Sequence, residues 1–189
     1  MLSEALIFII HAIFGFFASV LLLRFWMQCC RVANRNPLSV FVQSLTNFAV
    51  LPARRLIPGL GGLDLATLVL AWLTLVVEML LIVMVKGSLP GSGAAVGVIL
   101  IMALLMLLRL AIYLAIGAIF LQVILSWVNP SSPVTPVVSA LTRPMLQPIQ
   151  RIVPPIGMVD LSPLIALLLL QLLLMVPLAY LERAVGVGF

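Results

Sequence analysis

Four long apolar stretches constrain this chain more than any other feature of its sequence. They run from about Ala5 to Cys30, from Leu63 to Val85, from Ala94 to Val128 and from Leu161 to Leu181. A helix needs about 20 apolar residues to cross the hydrocarbon core of a bilayer. The sequence therefore predicts an all-α integral membrane protein with four transmembrane helices.

The third stretch is longer than a single crossing requires. As one helix it would measure roughly 50 Å, whereas the hydrocarbon core is about 30 Å thick. Either the helix tilts and extends past the membrane, or the first part of the stretch lies on the membrane surface. We place the span itself at about residues 105–128 and the others at about 5–30, 63–85 and 161–181.

The composition excludes several classes of protein. Apolar residues make up 65% of the chain and charged residues 8%, against about 45–50% and about 25% in a soluble domain. This excludes a water-soluble globule, a disordered chain and a nucleic-acid-binding module. One histidine, five carboxylates and two cysteines offer little for catalysis, so we expect no enzyme, no cofactor, no metal site and no nucleic-acid partner.

The two cysteines and the N-terminus support narrower expectations. Cys29 and Cys30 are adjacent, and neighbouring cysteines rarely close a disulfide. We interpret them as two buried thiols near a helix end, with a reactive or metal-binding role as the alternative. No Lys or Arg precedes the first apolar stretch, so we predict no cleaved signal peptide.

The chain contains an internal repeat. When the sequence is shifted by 96 residues, the segment 45–68 aligns with 141–164 without a gap, and nine of the 24 pairs are identical. Apolar composition favours chance leucine matches, but not matched proline, arginine, glycine and aspartate. Each unit holds two spans, an even number, so both units point the same way. We predict two parallel repeats related by an axis along the membrane normal.

The connections between the spans differ in length and charge. Long connections, residues 31–62 and 129–160, follow the first and third spans, and a short turn, residues 86–93, joins the second to the third. The long connections carry most of the basic residues: Arg31, Arg35, Arg54, Arg55, Arg143 and Arg151. Because basic residues accumulate on the cytoplasmic side, we predict cytoplasmic connections and both termini outside.

Each long connection contains an amphipathic helical pattern. The apolar stripes consist of Phe41, Leu45, Phe48, Ala49 and Leu56 in the first and Val134, Val137, Val138, Leu141, Met145, Ile149 and Ile152 in the second. Asn36-Pro37 and Ser132-Pro133 are typical helix starts, and Pro52 and Pro148 are expected to kink or end these helices. The pattern favours interfacial helices, with re-entrant elements lining a pathway as the alternative.

A specific motif ends each long connection. It reads PARRLIPGLGGLDLA over residues 52–66 and PIQRIVPPIGMVDLSP over residues 148–163. The matched motif residues are Pro52, Arg55, Pro58, Gly61 and Asp64 in the first copy and Pro148, Arg151, Pro154, Gly157 and Asp160 in the second. This resembles the YggT (YlmG) family of small integral membrane proteins. The resemblance covers nearly the whole chain as two tandem repeats, residues 1–88 and 89–189.

The resemblance implies a location in a bacterial inner membrane and a modest set of functions. Family members are associated with membrane organisation near division sites or organellar nucleoids, with assembly of cytochrome complexes, and with osmotic or potassium homeostasis, without an assigned catalytic activity. The second copy departs from the first by Gln150 in place of Arg54, and the first has Ala66-Thr67 where the second has Ser162-Pro163. These differences favour a scaffold role for at least one copy.

The charged motif residues suggest a local structural role. Asp64 and Asp160 stand where a span begins, so each can cap free backbone N–H groups. Arg55 and Arg151 lie nine residues earlier, across a turn, and are expected to pair with those carboxylates. The alternative is a lipid-phosphate or ion site built from Arg54, Arg55 and Arg151.

Four ionisable residues lie inside the spans, where they are costly and point to function. They are His11, Arg24, Glu78 and Arg109, with Gln28, Gln122 and Gln171 as neutral polar neighbours. We predict an intramembrane pair between Glu78 and Arg109, with a simple helix–helix contact or snorkelling as the alternative. Arg24 is expected to snorkel to the interface, and a haem role for His11 in a dimer is disfavoured.

Two functional hypotheses follow. The first is a non-enzymatic inner-membrane factor that organises or helps to assemble other membrane proteins; its partners are the lipid bilayer, other membrane proteins and a further copy of the chain. The second is transport of a small ion such as potassium or sodium, or osmotic homeostasis, by an oligomer. The first needs apolar helix surface and a basic cytoplasmic side, and the sequence provides both.

Overall fold

Helices form the whole regular architecture of the part of the chain that the structure describes. The structure is a computed structural model and describes residues 1–32, 36–57, 59, 63–87, 93–153 and 160–186. The elements are α1 (Leu2–Cys29), α2 (Pro37–Leu56), α3 (Leu65–Val85), α4 (Gly93–Val128), α5 (Thr135–Ile152), α6 (Ser162–Leu173), a π-helical turn (Leu174–Leu178) and α7 (Ala179–Gly186).

Four helical segments are long and apolar enough to cross a membrane. They are Leu2–Cys29, Leu65–Val85, Val96–Val128 and Ser162–Val185, which confirms the predicted all-α membrane architecture. The last segment contains α6, the π-helical turn and α7 in one continuous run. Pro177 lies inside that turn, where a wider helical turn accommodates a residue without a backbone N–H.

The third apolar stretch forms one helix rather than a surface segment followed by a span. Helix α4 has 36 residues, which corresponds to about 54 Å at 1.5 Å per residue. The predicted span, about residues 105–128, lies within this helix, and the place where it enters the membrane stays a prediction. The apolar face of α4 is continuous from Ile99 to Ile119, both buried, and this packing holds the whole length together as a helix.

The interior joins the two repeats through α1, α3 and α4. Its buried cluster is rich in small residues at the crossings, including Ala18, Ala71 and Ala103, each with no exposed surface. Small residues allow helix backbones to approach closely in a membrane, where dispersion contacts replace the hydrophobic effect. The indole Nε1 of Trp72 in α3 also donates a hydrogen bond of 3.2 Å to the carbonyl oxygen of Leu100 in α4.

The two repeats do not use equivalent faces against each other. Helix α3 of the first repeat packs on α4, but α6, its counterpart, makes no such contact with α1 among the described residues. The position matched to Trp72 is Leu168, which is 63% exposed. One helix face that is buried in the first repeat is therefore open in the second.

The connecting helices begin and end differently from the sequence prediction. Asn36 caps α2 as expected, since its Oδ1 accepts the Ser39 backbone N–H at 2.8 Å, but α5 begins at Thr135 rather than at Pro133. Pro52 and Pro148 lie inside their helices and end neither. Both prolines are on exposed faces, so the opposite, packed face maintains the helix although one backbone bond is lost.

The connecting helices also expose different chemistry. Helix α2 buries Ser39, Val42, Thr46 and Val50, while members of its predicted apolar stripe such as Phe41 and Phe48 face outward. Helix α5 instead buries its predicted apolar stripe around Val137, Val138 and Leu141. Phe48 stacks on Phe17 of α1, with ring centroids 5.5 Å apart, which fixes α2 along the first span.

Candidate functional site

Both repeats have a hydrogen bond between the first span and the connecting helix at the matched threonine, but its direction is reversed between them. In the first repeat, Nη1 of Arg24 donates to Oγ1 of Thr46 at 2.6 Å and to Oδ1 of Asn47 at 2.9 Å. In the second repeat, the hydroxyl of Thr142, the residue matched to Thr46, donates to Oε1 of Gln122. Gln122 therefore occupies the place of Arg24, which is 9% exposed. The expected snorkelling of Arg24 to the membrane interface stays a prediction.

A second matched bond closes the turn that leads into the next span. Nε and Nη2 of Arg54 donate to Oδ2 of Asp64 at 2.9 and 2.5 Å. In the second repeat, Nε2 of Gln150 donates to Oδ2 of Asp160 at 2.8 Å. Position 150 corresponds to position 54 after the shift of 96 residues. The donor to the aspartate is therefore a charged arginine in the first repeat and a neutral glutamine in the second.

The predicted partners of these aspartates were wrong by one residue. Arg55 and Arg151 are exposed and make no ion pair among the described residues. The reason is helical register: α2 and α5 continue beyond Pro52 and Pro148, which turns the preceding residue, Arg54 or Gln150, toward the next span. The motif residues Pro58, Gly61, Pro154 and Gly157 lie outside the described residues.

The two aspartates accept different hydrogen bonds at the start of the next span. Asp64 is 4% exposed and accepts the Thr67 hydroxyl at 2.5 Å, without a side-chain cap on the backbone. Asp160 does cap its span, because its Oδ1 accepts the Ser162 backbone N–H at 2.9 Å.

Both aspartates have a lowered pKa. Burial alone would raise the pKa of Asp64, but hydrogen bonds from Arg54 and Thr67 outweigh it and hold that pKa below its ordinary value. The pKa of Asp160 is likewise lowered, because hydrogen bonds from Ser162 and Gln150 outweigh its burial. Both carboxylates are therefore charged at neutral pH.

A polar cavity, here called the basic pocket, opens beside the first of these networks. It has a volume of about 440 Å³ and lies where α1 ends and α2 begins. Its polar lining consists of Arg24, Arg31, Arg54, Gln28, Ser39 and Gln43. In the second repeat, Gln122 and Asp160 line a cavity of about 620 Å³ together with apolar residues such as Trp127, and none of its described lining residues is basic.

The intramembrane residues pair differently from the prediction. Nδ1 of His11 in α1 and Oε1 of Glu78 in α3 are 2.5 Å apart, and Arg109 in α4 bonds to Glu182 in α7, with Nε–Oε1 at 2.8 Å. The predicted pair between Glu78 and Arg109 is therefore wrong. The physical reason is that each first span packs on the second span of its own repeat, which brings the local carboxylate closest.

The basic residues of these two pairs occupy matched places, but their carboxylates do not, because the shift of 96 residues carries Glu78 onto Leu174. Arg24 and Thr46 are 22 residues apart in the sequence, whereas their counterparts Gln122 and Thr142 are 20 residues apart. The first spans are thus shifted by 98 residues rather than 96, and that shift carries His11 onto Arg109. Each first span therefore holds one basic side chain against a carboxylate of its second span.

A smaller cavity, here called the inner cavity, lies between the spans. It measures about 300 Å³ and is lined by His11, Ser19, Glu78, Arg109 and Tyr113, among apolar residues. Glu78 and Arg109 thus share a cavity without bonding to each other. Glu78 has no exposed surface, and its Oε2 has no hydrogen-bond partner among the described residues.

Several contributors to these sites were not singled out from the sequence. Thr46, Thr142 and Glu182 were missed, although the identity of Thr46 and Thr142 between the repeats was an available signal. Cys29 was expected to be buried but is exposed, and Cys30 is half-buried, with its thiol pKa raised by that burial. The described residues contain no group of three or more His, Cys, Asp or Glu side chains suited to a metal ion.

Similarity to known proteins follows the two-repeat architecture. The chain matches the CCB3/YggT family over residues 3–85 and 101–181. It is 36% identical over 165 residues to an uncharacterized protein of Vibrio alginolyticus, covering 87% of this chain and 88% of that one. It is 37% identical over 174 residues to an uncharacterized protein of Pseudomonas aeruginosa, covering 91% and 87%.

A third relative carries the family name. The uncharacterized protein YggT of Escherichia coli K12 is 34% identical over 171 residues, covering 90% of this chain and 87% of its own length. No solved structure matches the chain. The two family matches coincide with the two repeats that share the Thr46/Thr142 and Asp64/Asp160 bonds. The chain belongs to the CCB3/YggT family.

Proposed function

We propose that this protein is a non-enzymatic inner-membrane factor that organises other membrane proteins or assists their assembly, by docking a transmembrane helix of a partner against α6. The observation that carries the proposal is Gln171, a polar residue of α6 that is exposed at about the middle of the fourth span. An amide exposed to hydrocarbon is unfavourable, and such residues join helices across an interface. The family resemblance adds division-site or cytochrome-assembly roles as examples of such work.

The matching face of the first repeat supports this reading. Gln171 corresponds to Leu75, which is 3% exposed in the interior shared by the two repeats. Leu168 corresponds to Trp72, which contacts α4 directly. The first repeat thus buries against α4 the face that the second repeat leaves open, so a helix resembling α4 in small residues is the occupant that fits.

Site-specific photocrosslinking in cells tests the docking of a partner. A photoreactive residue at Leu168 is expected to give a discrete adduct with a membrane protein identified by mass spectrometry, and Gln171→Leu is expected to weaken it. The same probe at Ile13, an exposed residue of α1, is the control for lipid-facing positions. Equal labelling at both positions would contradict the proposal, and an adduct between two copies of this chain would reassign the face to self-association.

A second candidate function is transport of a small cation such as potassium or sodium by an oligomer, or osmotic homeostasis. It is favoured by the inner cavity, which is lined by Glu78, His11, Arg109 and Tyr113, and by Oε2 of Glu78, which is unpaired among the described residues. Purified protein in liposomes is expected, in this case, to conduct potassium or sodium, with flux lost in Glu78→Gln and kept in Glu4→Gln, a change at an exposed carboxylate. Absence of flux in the unmodified protein rules this candidate out.

We also propose that both long connections face the cytoplasm and both termini face outward. The distribution of arginines supports this orientation, because Arg24, Arg31, Arg54 and Arg55 gather at one end of the first repeat. Alkaline phosphatase fused after Phe189 is expected to be active, and the same enzyme fused after Arg143 is expected to be inactive. The reverse pattern would overturn the orientation.

A further inference from the structure

The basic pocket contains more positive charge than the described residues around it compensate. Arg24 is 9% exposed, and its hydrogen-bond acceptors, Thr46 and Asn47, are neutral. Asp64 is already bound by Arg54 through two hydrogen bonds. Among the described residues, three guanidinium groups against one carboxylate leave the region with a net charge of +2. Arg31 and Arg54 are exposed, whereas Arg24 is buried, and a buried charge is stable only with a compensating partner.

The repeat comparison shows that this charge is not required by the fold. At the two matched positions the second repeat has Gln122 and Gln150, which keep the bonds to Thr142 and Asp160. Neutral side chains therefore suffice to join the first span to the connecting helix and to close the turn. The arginines of the first repeat add positive charge to an arrangement that glutamine can hold, and this excess needs another explanation.

The position and size of the pocket indicate what it can hold. Arg24 lies five residues before the end of α1 at Cys29, or about 7.5 Å along the helix axis, which is near the end of the first span rather than at its middle. A volume of about 440 Å³ is in the range of small-ligand sites. Arg31 reaches the pocket from a backbone with φ of 51°, a strained conformation for a residue with a side chain.

We propose that the basic pocket binds a phosphate group, held by the guanidinium groups of Arg24, Arg31 and Arg54. Guanidinium is suited to this task, because its planar fork donates two parallel hydrogen bonds to phosphate oxygens. The headgroup of an anionic phospholipid and free inorganic phosphate share this chemistry. The inference is independent of the docking face on α6, which lies in the other repeat.

Binding to the purified full-length chain in neutral detergent tests the proposal. Two probes are titrated separately: phosphatidylglycerol, with phosphatidylcholine as the zwitterionic comparison, and inorganic phosphate. Tighter binding of phosphatidylglycerol than of phosphatidylcholine identifies a lipid headgroup as the source, and binding of inorganic phosphate identifies the free anion. Both results support a phosphate site, whereas no binding of either probe overturns it.

The test variants carry the glutamines that the second repeat has at the matched positions. Arg24→Gln combined with Arg54→Gln reproduces Gln122 and Gln150, so the fold is expected to survive while the Kd for the phosphate probe rises at least about tenfold, as loss of charged hydrogen bonds implies. Arg31→Gln, at an exposed residue, weakens binding without risk to the core. Arg143→Gln, an exposed arginine on α5, is the matched control and leaves the Kd within about twofold. Unchanged binding in both Arg31→Gln and the double variant refutes the site.

Discussion

Arg24 and Arg54 show how one bond can be kept while its charge changes. Each has a glutamine counterpart in the second repeat that bonds to the matched residue, Thr142 or Asp160. The bond of Arg24 involves a charged group and contributes about 1.5–3 kcal/mol, whereas the bond between Thr142 and Gln122 joins neutral groups and contributes about 1 kcal/mol. The bond of Gln150 still ends on the charged carboxylate of Asp160, so that position loses only the charge of its donor.

The sequence could predict that the motif aspartates have partners, but not which ones. Asp64 and Asp160 were identified because they recur at the start of matching spans. Their partners depend on whether a helix continues through Pro52 and Pro148, and proline inside a helix is decided by tertiary packing rather than by local preference. One residue of register separates the predicted Arg55 from the observed Arg54.

The pair between Arg54 and Asp64 makes a pH-dependent contribution to stability. The pKa of Asp64 is lowered in the folded protein, so the folded state favours the charged carboxylate. This contribution is complete above the unfolded value of about 3.9 and is lost as the pH falls through the folded pKa. The unmodified protein is therefore expected to exceed Asp64→Asn in thermal stability at pH 7, and the difference is expected to shrink as the pH is lowered below about 4.

Thermal unfolding in detergent at several pH values measures this difference. Glu4→Gln is the control, since Glu4 pairs only with the N-terminal amine at the exposed start of α1. A stability difference between the protein and Asp64→Asn that stays constant down to pH 3 would show that the charge of Asp64 does not contribute.

At the level of the elements, the two connecting helices have similar sequence patterns, but their apolar stripes lie in different environments. Both were predicted as amphipathic from their spacing, and both are helices. Spacing alone does not tell whether an apolar stripe packs inside the protein or faces lipid, because both environments accept the same side chains. In α5 the stripe packs inward, and in α2 Phe41 and Phe48 point outward.

The exposed residues predict that the outer face of α2 contacts lipid and that the outer face of α5 contacts water. Besides Phe48, α2 exposes Val40 and Leu51, whereas α5 exposes Arg143 and Gln147. A nitroxide label at position 48 is therefore expected to collide mainly with oxygen dissolved in lipid, and a label at position 147 mainly with a water-soluble nickel complex. Electron paramagnetic resonance in liposomes measures both accessibilities.

The labelling experiment uses a background in which Cys29→Ser and Cys30→Ser remove the native thiols. A label at Leu168 on the exposed face of α6 calibrates the signal for a position within the fourth span. Equal accessibility of positions 48 and 147 to the nickel complex would contradict an interfacial placement of α2.

For the whole molecule, the repeat predicts the units but not how they combine. The identities between the repeats concentrate at the turns, while contacts between spans depend on small apolar residues that are indistinguishable in sequence from lipid-facing ones. This is why Glu78 and Arg109 were paired across repeats, although each bonds within its own repeat. The contact of α3 with α4, and the open face of α6, arise from that packing.

The contact between the repeats is expected to control the stability of the complete molecule. Ala71 in α3 and Ala103 in α4 have no exposed surface, so a larger side chain must displace a neighbouring helix. Ala71→Leu and Ala103→Leu are each expected to cost about 1–3 kcal/mol, the usual penalty for overpacking, and to lower the Tm in detergent. Ala5→Leu makes the same change at an exposed position of α1 and should leave the Tm unchanged. If Ala71→Leu and Ala103→Leu melt like Ala5→Leu, close packing of α3 on α4 does not hold the two repeats together.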